Sequence, residues 1–198
     1  MSIDFSKLSY LVQNEHQDYV KYGNINSAIQ WKRALDDFAM SLRQNLSTQG
    51  LEITSSTGIG RWAYFPWIRI AFPVASHSND TGVFIDYLFG WEDGEVFLTL
   101  LQGVDGSSED EIFKNKRLVQ DNVKNEGFNK VPMSWNLNIS GSGRKKIRAQ
   151  SYADGMIFYK QYTNGKMPDS SQLESDLQDL IKIYRNANDV LIEKNMGA

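Results

Sequence analysis

In the stretch "NINSAIQWKRALDDFAMSLRQNL", Trp31, Leu35, Phe38, Leu42 and Leu46 recur at spacings of three and four and form one apolar stripe. That period predicts an amphipathic helix. Asn26 or Ser27 can cap its start, and Gly50 stands past its end. A weaker helical pattern covers residues 1–22, with Phe5, Leu8, Leu11 and Val12 on one face. The period then shortens. Residues 61–73 read as a strand rich in aromatics and isoleucine, and "GVFIDYLFGW" and "GEVFLTLLQGV" as two more, joined as a hairpin through Glu92, Asp93 and Gly94. After Gly106 the pattern is helical again. Ser108 and Glu111 make a capping box, and Ile112, Lys116, Val119 and Val123 line one face. "SWNLNI" reads as a short strand and "SYADGMIFYKQY" as a hairpin or strand pair. From Ser170, the residues Leu173, Leu177, Leu180, Ile181, Tyr184 and Leu191 mark a long final helix. The order predicts an α+β fold, an antiparallel sheet flanked by helices, with N-terminal helices and a long C-terminal one. The expectation is one domain over residues 1–198, the N-terminal part of a longer chain, because the last helix runs on without a clear stop.

Composition narrows the class. With 41% hydrophobic and 23% charged residues in 198, the chain reads as soluble and globular, and it is long enough to bury a core. No apolar run approaches the roughly 18 residues of a membrane span, and the N-terminus lacks the basic and apolar blocks of a secretory signal. The absence of cysteine removes disulfides and thiolate chemistry and fits a cytoplasmic protein. His16 and His77 stand in unrelated contexts, so neither a metal nor a cofactor is expected. A net charge of −3 is no basic footprint, although local field matters more than the total.

Catalytic signatures are missing, and no enzymatic activity is expected of this chain. There is no phosphate loop: "GSGRKK" lacks the spacing and is not followed by a helical pattern. No Gly-x-Ser-x-Gly elbow occurs. Asp86 and Glu95 fall on neighbouring predicted strands, as a magnesium nuclease would want. Glu95 is followed by Val96 and Phe97, however, so the usual lysine is lacking, and both carboxylates read as solvent-facing.

One stretch, "GIGRWAYFPWIRIAF", carries two tryptophans, a tyrosine and two phenylalanines in residues 58–72. Trp62, Tyr64 and Phe72 fit a strand packed into a core. Pro66 does not, because it removes a backbone donor and forces the strand to begin, bulge or lie at an edge there. The Gly58-Ile59-Gly60 turn delivers Arg61 beside an apolar tip, the shape of a loop that enters a groove. Further on, Arg144, Lys145, Lys146 and Arg148 form a basic segment, read either as a solvated hairpin end or as a phosphate contact. A second cluster, Lys114, Lys116 and Arg117, is offset by Glu109, Asp110 and Glu111.

The Gly-x-Gly turn, the Pro66-Trp67 pair, the strands "GVFIDYLF" and "EVFLTLLQGV", and the later "KKIRAQSY" and "LIKIYRNAND" together resemble the N-terminal DNA-binding domain of McrB, the specificity subunit of methylation-dependent restriction systems. The likeness covers about residues 50–190. It implies a module that binds double-stranded DNA and flips a modified cytosine, of the 5-methylcytosine type, into an aromatic pocket. Cleavage would fall to a nuclease or NTPase domain or subunit of the same system. A stacked base is worth roughly 1–3 kcal/mol, which offsets part of the cost of flipping. By resemblance the pocket comprises Trp67 as stacking plane, with Phe84 and Leu88 as walls and Ile147 and Arg148 on the far side. Ile59 is the wedge, within a groove loop of Gly58, Gly60 and Arg61. Arg144, Lys145 and Lys146 contact phosphates. Two features depart from the pattern. Phe84 lacks the tyrosine hydroxyl the family can carry there, and neither Ile147 nor Arg148 is aromatic, which leaves the Arg148 guanidinium as a candidate second plane. Two alternatives stand beside this reading: a nuclease domain with an unrecognised carboxylate site, and a protein-interaction domain in which the aromatic strand is core.

Overall fold

The computed structural model describes residues 3–14, 25–58, 63–73, 82–90, 94–105, 107–133 and 143–196. In chain order these hold α1 (Phe5–Gln13), α2 (Ile25–Leu46), β1 (Glu52–Ser56), β2 (Trp67–Ala71), β3 (Val83–Phe89), β4 (Glu95–Gln102), α3 (Glu109–Asn122), β5 (Asn129–Lys130), α4 (Arg144–Gly155), β6 (Met156–Thr163) and α5 (Ser170–Met196). The strands form one sheet in the order β1-β2-β3-β4-β6-β5, every neighbouring pair antiparallel. The architecture is the predicted α+β sheet with flanking helices.

The two faces of the sheet follow from the alternation of side chains along each strand. One face presents Ile68 and Ile70, then Ile85, Tyr87 and Phe89, then Val96, Leu98 and Leu100. It packs in one cluster with Phe5, Leu8, Leu11 and Val12 of α1, the whole predicted stripe of α2, and Leu173, Leu177, Leu180, Ile181 and Tyr184 of α5. Aromatic rings join the layers. Trp31 meets Phe89 edge-on at 5.6 Å, Phe38 meets Tyr87 at 5.4 Å, and the Tyr184 hydroxyl accepts from the Phe72 amide at 2.7 Å. The opposite face presents Trp67 and Ala71, Phe84 and Leu88, and Phe97 and Leu101. These pack with Ala149, Tyr152 and Ala153 of α4 in a second cluster.

Several boundaries differ from the sequence reading. The strand predicted over 61–73 begins only at Trp67, directly after Pro66, whose carbonyl accepts from the Phe89 amide at 2.9 Å. Tyr64 is exposed rather than core. β1 escaped prediction because it is short, polar and an edge strand whose only buried residue is Ile53. Asn26 and Ser27 lie inside α2, which starts at Ile25, and a 3-10 turn over Ser47–Gln49 separates its end from the left-handed Gly50. Ser108 caps α3 as expected, accepting from the Glu111 amide. The Glu92-Asp93 hairpin tip, the "SWNLNI" strand, Trp62 and both histidines lie outside the described residues.

The largest correction concerns "SGSGRKKIRAQSYADGMIFYKQY". The basic segment is not a hairpin end. It is the first turn of α4, and "SYADG" completes that helix before β6 begins at Met156. The Asp154-Gly155 pair resembles a turn signal but serves another purpose. A Cβ on Gly155 would stand 2.8 Å from the Gln102 carbonyl oxygen and 2.9 Å from Val104 Cγ1. Only glycine lets α4 end so close to β4, so the residue marks a close approach rather than a hairpin. "GSGRKK" is therefore followed by a helix, contrary to expectation, although the phosphate-loop spacing is still absent.

Candidate nucleic-acid interface

The second face of the sheet has a polar centre. Strand register sets Arg69 opposite Asp86, and Asp86 opposite Thr99. All three are buried. Arg69 donates twice to Asp86, from Nε at 3.0 Å and from a terminal nitrogen at 3.1 Å, and Thr99 donates to the Phe158 carbonyl at 2.9 Å. The Arg69 guanidinium lies 3.5 Å above the centre of the Phe84 ring and 4.9 Å from that of Trp67. Burial raises the Asp86 carboxyl to about 6, because desolvation outweighs the opposing pull of the Arg69 charge and its hydrogen bonds. Asp86 is thus a buried ion-pair partner and not the solvent-facing carboxylate expected from sequence. Its strand neighbour Glu95 pairs in register with Thr163 instead, so the two carboxylates do not converge. Among the described residues no group of three or more His, Asp or Glu gathers as a metal site would require.

A narrow cleft of about 40 Å³ opens above this centre. It is lined by Trp67, Arg69 and Phe84 from the sheet, by Gly103, Val104 and Asp105 after β4, and by Arg148, Ser151 and Tyr152 of α4. A cavity of that size holds a few waters at most, at ~10–15 Å³ for each. A nucleobase enters only if the mouth widens. Two half-exposed side chains span that mouth. Arg148 lies 3.5 Å from an Asp105 carboxylate oxygen and 4.9 Å from the centre of the Tyr152 ring, one helical turn on. Burial works against the Arg148 charge, yet Tyr152 and Asp105 together hold its pKa above the ordinary value. Tyr152 is itself raised by burial, against the opposing influence of Arg148.

The residues singled out from sequence separate accordingly. Trp67, Phe84 and Arg148 line the cleft. Phe84 does so from behind Arg69, whose guanidinium covers its ring. Leu88 stands opposite Trp67 in the ladder, fully buried in the second cluster, and is not part of the lining. Ile147 is 69% exposed and lies outside the cleft. Arg144, Lys145 and Lys146 fall in the first turn of α4, after Gly143, whose positive φ favours glycine. There the positive end of the helix dipole adds to their charge. Gly58 is described at the end of β1, while Ile59, Gly60 and Arg61 lie outside the described residues. Lys116, read from sequence as part of a basic cluster, is fully buried between α3 and α4. It donates to the Ala153 carbonyl at 3.3 Å, and burial lowers it to about 8 against the pull of Asp154.

Among the lining residues that sequence reasoning missed, three carry a ring or a charge. Tyr152 was hidden in a supposed hairpin; helical spacing from Arg148 would have placed the two on one face. Arg69 was passed over inside an apolar strand, where a charged residue followed in register by a carboxylate on the next strand is itself a signal. Asp105 follows β4 with no local pattern to mark it.

No curated protein and no solved structure matches the chain. A family model does. The MrcB-like N-terminal domain matches residues 12–189, nearly the whole chain and every element that builds the cleft. The chain belongs to the MrcB-like N-terminal domain family, the DNA-binding modules that its Gly-x-Gly and Pro-Trp block resembles.

Proposed function

We propose that this domain is the DNA reader of a modification-dependent restriction system, that it takes a flipped cytosine of the 5-methylcytosine type into the cleft, and that cleavage belongs to another domain or subunit. The observation that carries this reading is the cleft itself. Two aromatic residues, Trp67 and Tyr152, line one cleft beside a helix whose first turn carries Arg144, Lys145 and Lys146. Aromatic planes recover part of the stacking a flipped base loses. A basic helix N-terminus holds the phosphates on either side. Tyr152 takes the role of second plane that the sequence left to Ile147 or Arg148. Phe84 and Leu88 support the wall from beneath, and Ile59, in the Gly58-Ile59-Gly60-Arg61 sequence, serves as the wedge. The paired, buried Asp86 and the distant Glu95 favour this reading over a nuclease.

The test is a mobility-shift comparison of duplexes with and without one 5-methylcytosine, with 2-aminopurine beside the modified base to report unstacking. The expected result is tighter binding and a fluorescence rise only with the modified duplex. Equal binding with no fluorescence change would refute it. With magnesium, the chain alone should leave both duplexes intact.

A further inference from the structure

We propose that Asp105 is a specificity residue of the cleft, accepting a hydrogen bond from the exocyclic amine of the flipped base, with Arg148 donating to the ring nitrogen beside it. The inference rests on the base-flipping reading above and adds what the cleft recognises on the base edge.

The two carboxylate–guanidinium pairs of this region differ in kind. Arg69 and Asp86 are buried and joined by two hydrogen bonds at 3.0 and 3.1 Å, in strand register, and Asp86 is not among the residues lining the cleft. That pair is framework. Arg148 and Asp105 form an ion pair at 3.5 Å, with side chains 46% and 52% exposed, and both line the cleft. A separation of 3.5 Å is too long for a strong hydrogen bond, so this pair is open to exchange. A carboxylate only accepts and a guanidinium only donates. Set side by side at the mouth of an aromatic cleft, they present an acceptor next to a donor.

Cytosine offers the complement, an amine donor beside the N3 acceptor, and a carboxylate accepting from that amine is the usual way a protein reads it. Thymine offers the reverse. Its O4 would face the carboxylate and its N3–H the guanidinium, leaving like groups opposed. Adenine also carries an amine beside an acceptor, so the edge read here separates cytosine from thymine and not from adenine. The 5-methyl group does not distinguish thymine from 5-methylcytosine, because both carry it. The edge read by Asp105 and Arg148 does.

The experiment measures binding of the whole chain to three duplexes that differ at one base pair: 5-methylcytosine·G, cytosine·G and a thymine·G mismatch. The mismatch flips more readily, so a cleft blind to the edge would bind thymine at least as well as 5-methylcytosine. The expected result is a preference for 5-methylcytosine of about tenfold or more over thymine, the size of one good base-edge interaction. In Asp105→Ala the 5-methylcytosine affinity should fall by about that factor while thymine holds or gains, because the opposed oxygens are relieved. In Asp105→Asn, whose amide can donate to O4, thymine should gain. Melting temperatures should stay at the wild-type value, since the side chain is half exposed. If the variants keep the wild-type ratio, or bind all three duplexes more tightly by one factor, Asp105 only repels phosphate and the proposal fails alone. If the wild type binds thymine as well as 5-methylcytosine, it fails without recourse to the variants. Absence of any preference for 5-methylcytosine over cytosine in the wild type would instead bring down the flipping reading itself.

Discussion

Removing Asp86 should cost far more than removing the whole Arg69–Asp86 pair. Arg69 is 4% exposed, and Asp86→Ala removes its bidentate partner. Breaking a buried pair in this way costs about 3–5 kcal/mol. For a chain of this length each kcal/mol moves the melting point by roughly 2–4 °C, which gives a drop of about 6–20 °C. Arg69→Met combined with Asp86→Leu replaces two desolvated charges by apolar groups of similar volume, and should be neutral or stabilising by about 1–4 kcal/mol. The pH dependence supplies a second measurement. Asp86 is raised from 3.8 to about 6, so between those values the folded state holds more protons than the unfolded state. Its contribution to stability is therefore fully present below about pH 4 and lost as pH rises through 6, an amount of roughly 3 kcal/mol from 1.36 kcal/mol per pH unit. Urea melts of wild type and double variant between pH 4 and 7 isolate that slope. If both single and double variants lose the same stability, or if the pH slopes of wild type and double variant coincide, the pair is not the desolvated framework described.

Three further outcomes follow from the same structure. Trp67→Ala should lower affinity for modified duplex by about 1–3 kcal/mol, the value of one stacked base, in a mobility-shift assay, with much less change for plain duplex. Because Trp67 is partly exposed, its melting point should fall less than full core truncation would require. Arg144→Ala with Lys146→Ala should weaken all duplexes alike and flatten the plot of log affinity against log salt by about one for each phosphate the variant no longer neutralises; an unchanged slope removes the first turn of α4 from the interface. Gly155→Ala forces a Cβ against the Gln102 carbonyl and should destabilise by about 1–3 kcal/mol in denaturant melts, while Gly165→Ala, with open space around it, suffers only the strain of its positive φ.

The sequence by itself determined the frame. Period sufficed for α2 and α5, and period with a Ser-x-x-Glu box for α3, because an apolar stripe states where a helix lies and which face it buries. The dense apolar runs of β3 and β4, and the break imposed by Pro66 before Trp67, were legible because they depend on local chemistry alone. The Gly-x-Gly and Pro-Trp block was enough to point to the family. What the tertiary structure decided is how distant positions meet. α4 is polar along most of its length and buries only Ala149, Tyr152, Ala153 and Gly155, so its helical period is faint and its glycine mimics a turn. Its reason for being there is the packing against β4, some fifty residues earlier in the chain, which no local window contains. The same holds for the cleft. Strand register, a property of pairing and not of either strand, set Asp86 opposite Arg69 and turned one carboxylate that reads as solvent-facing into half of a buried ion pair. Docking of α4 then brought Arg148 and Tyr152 over that pair to meet Asp105 at the end of β4. Sequence singled out Trp67; only the packing of α4 on the sheet set Tyr152, Arg148 and Asp105 around the same cleft.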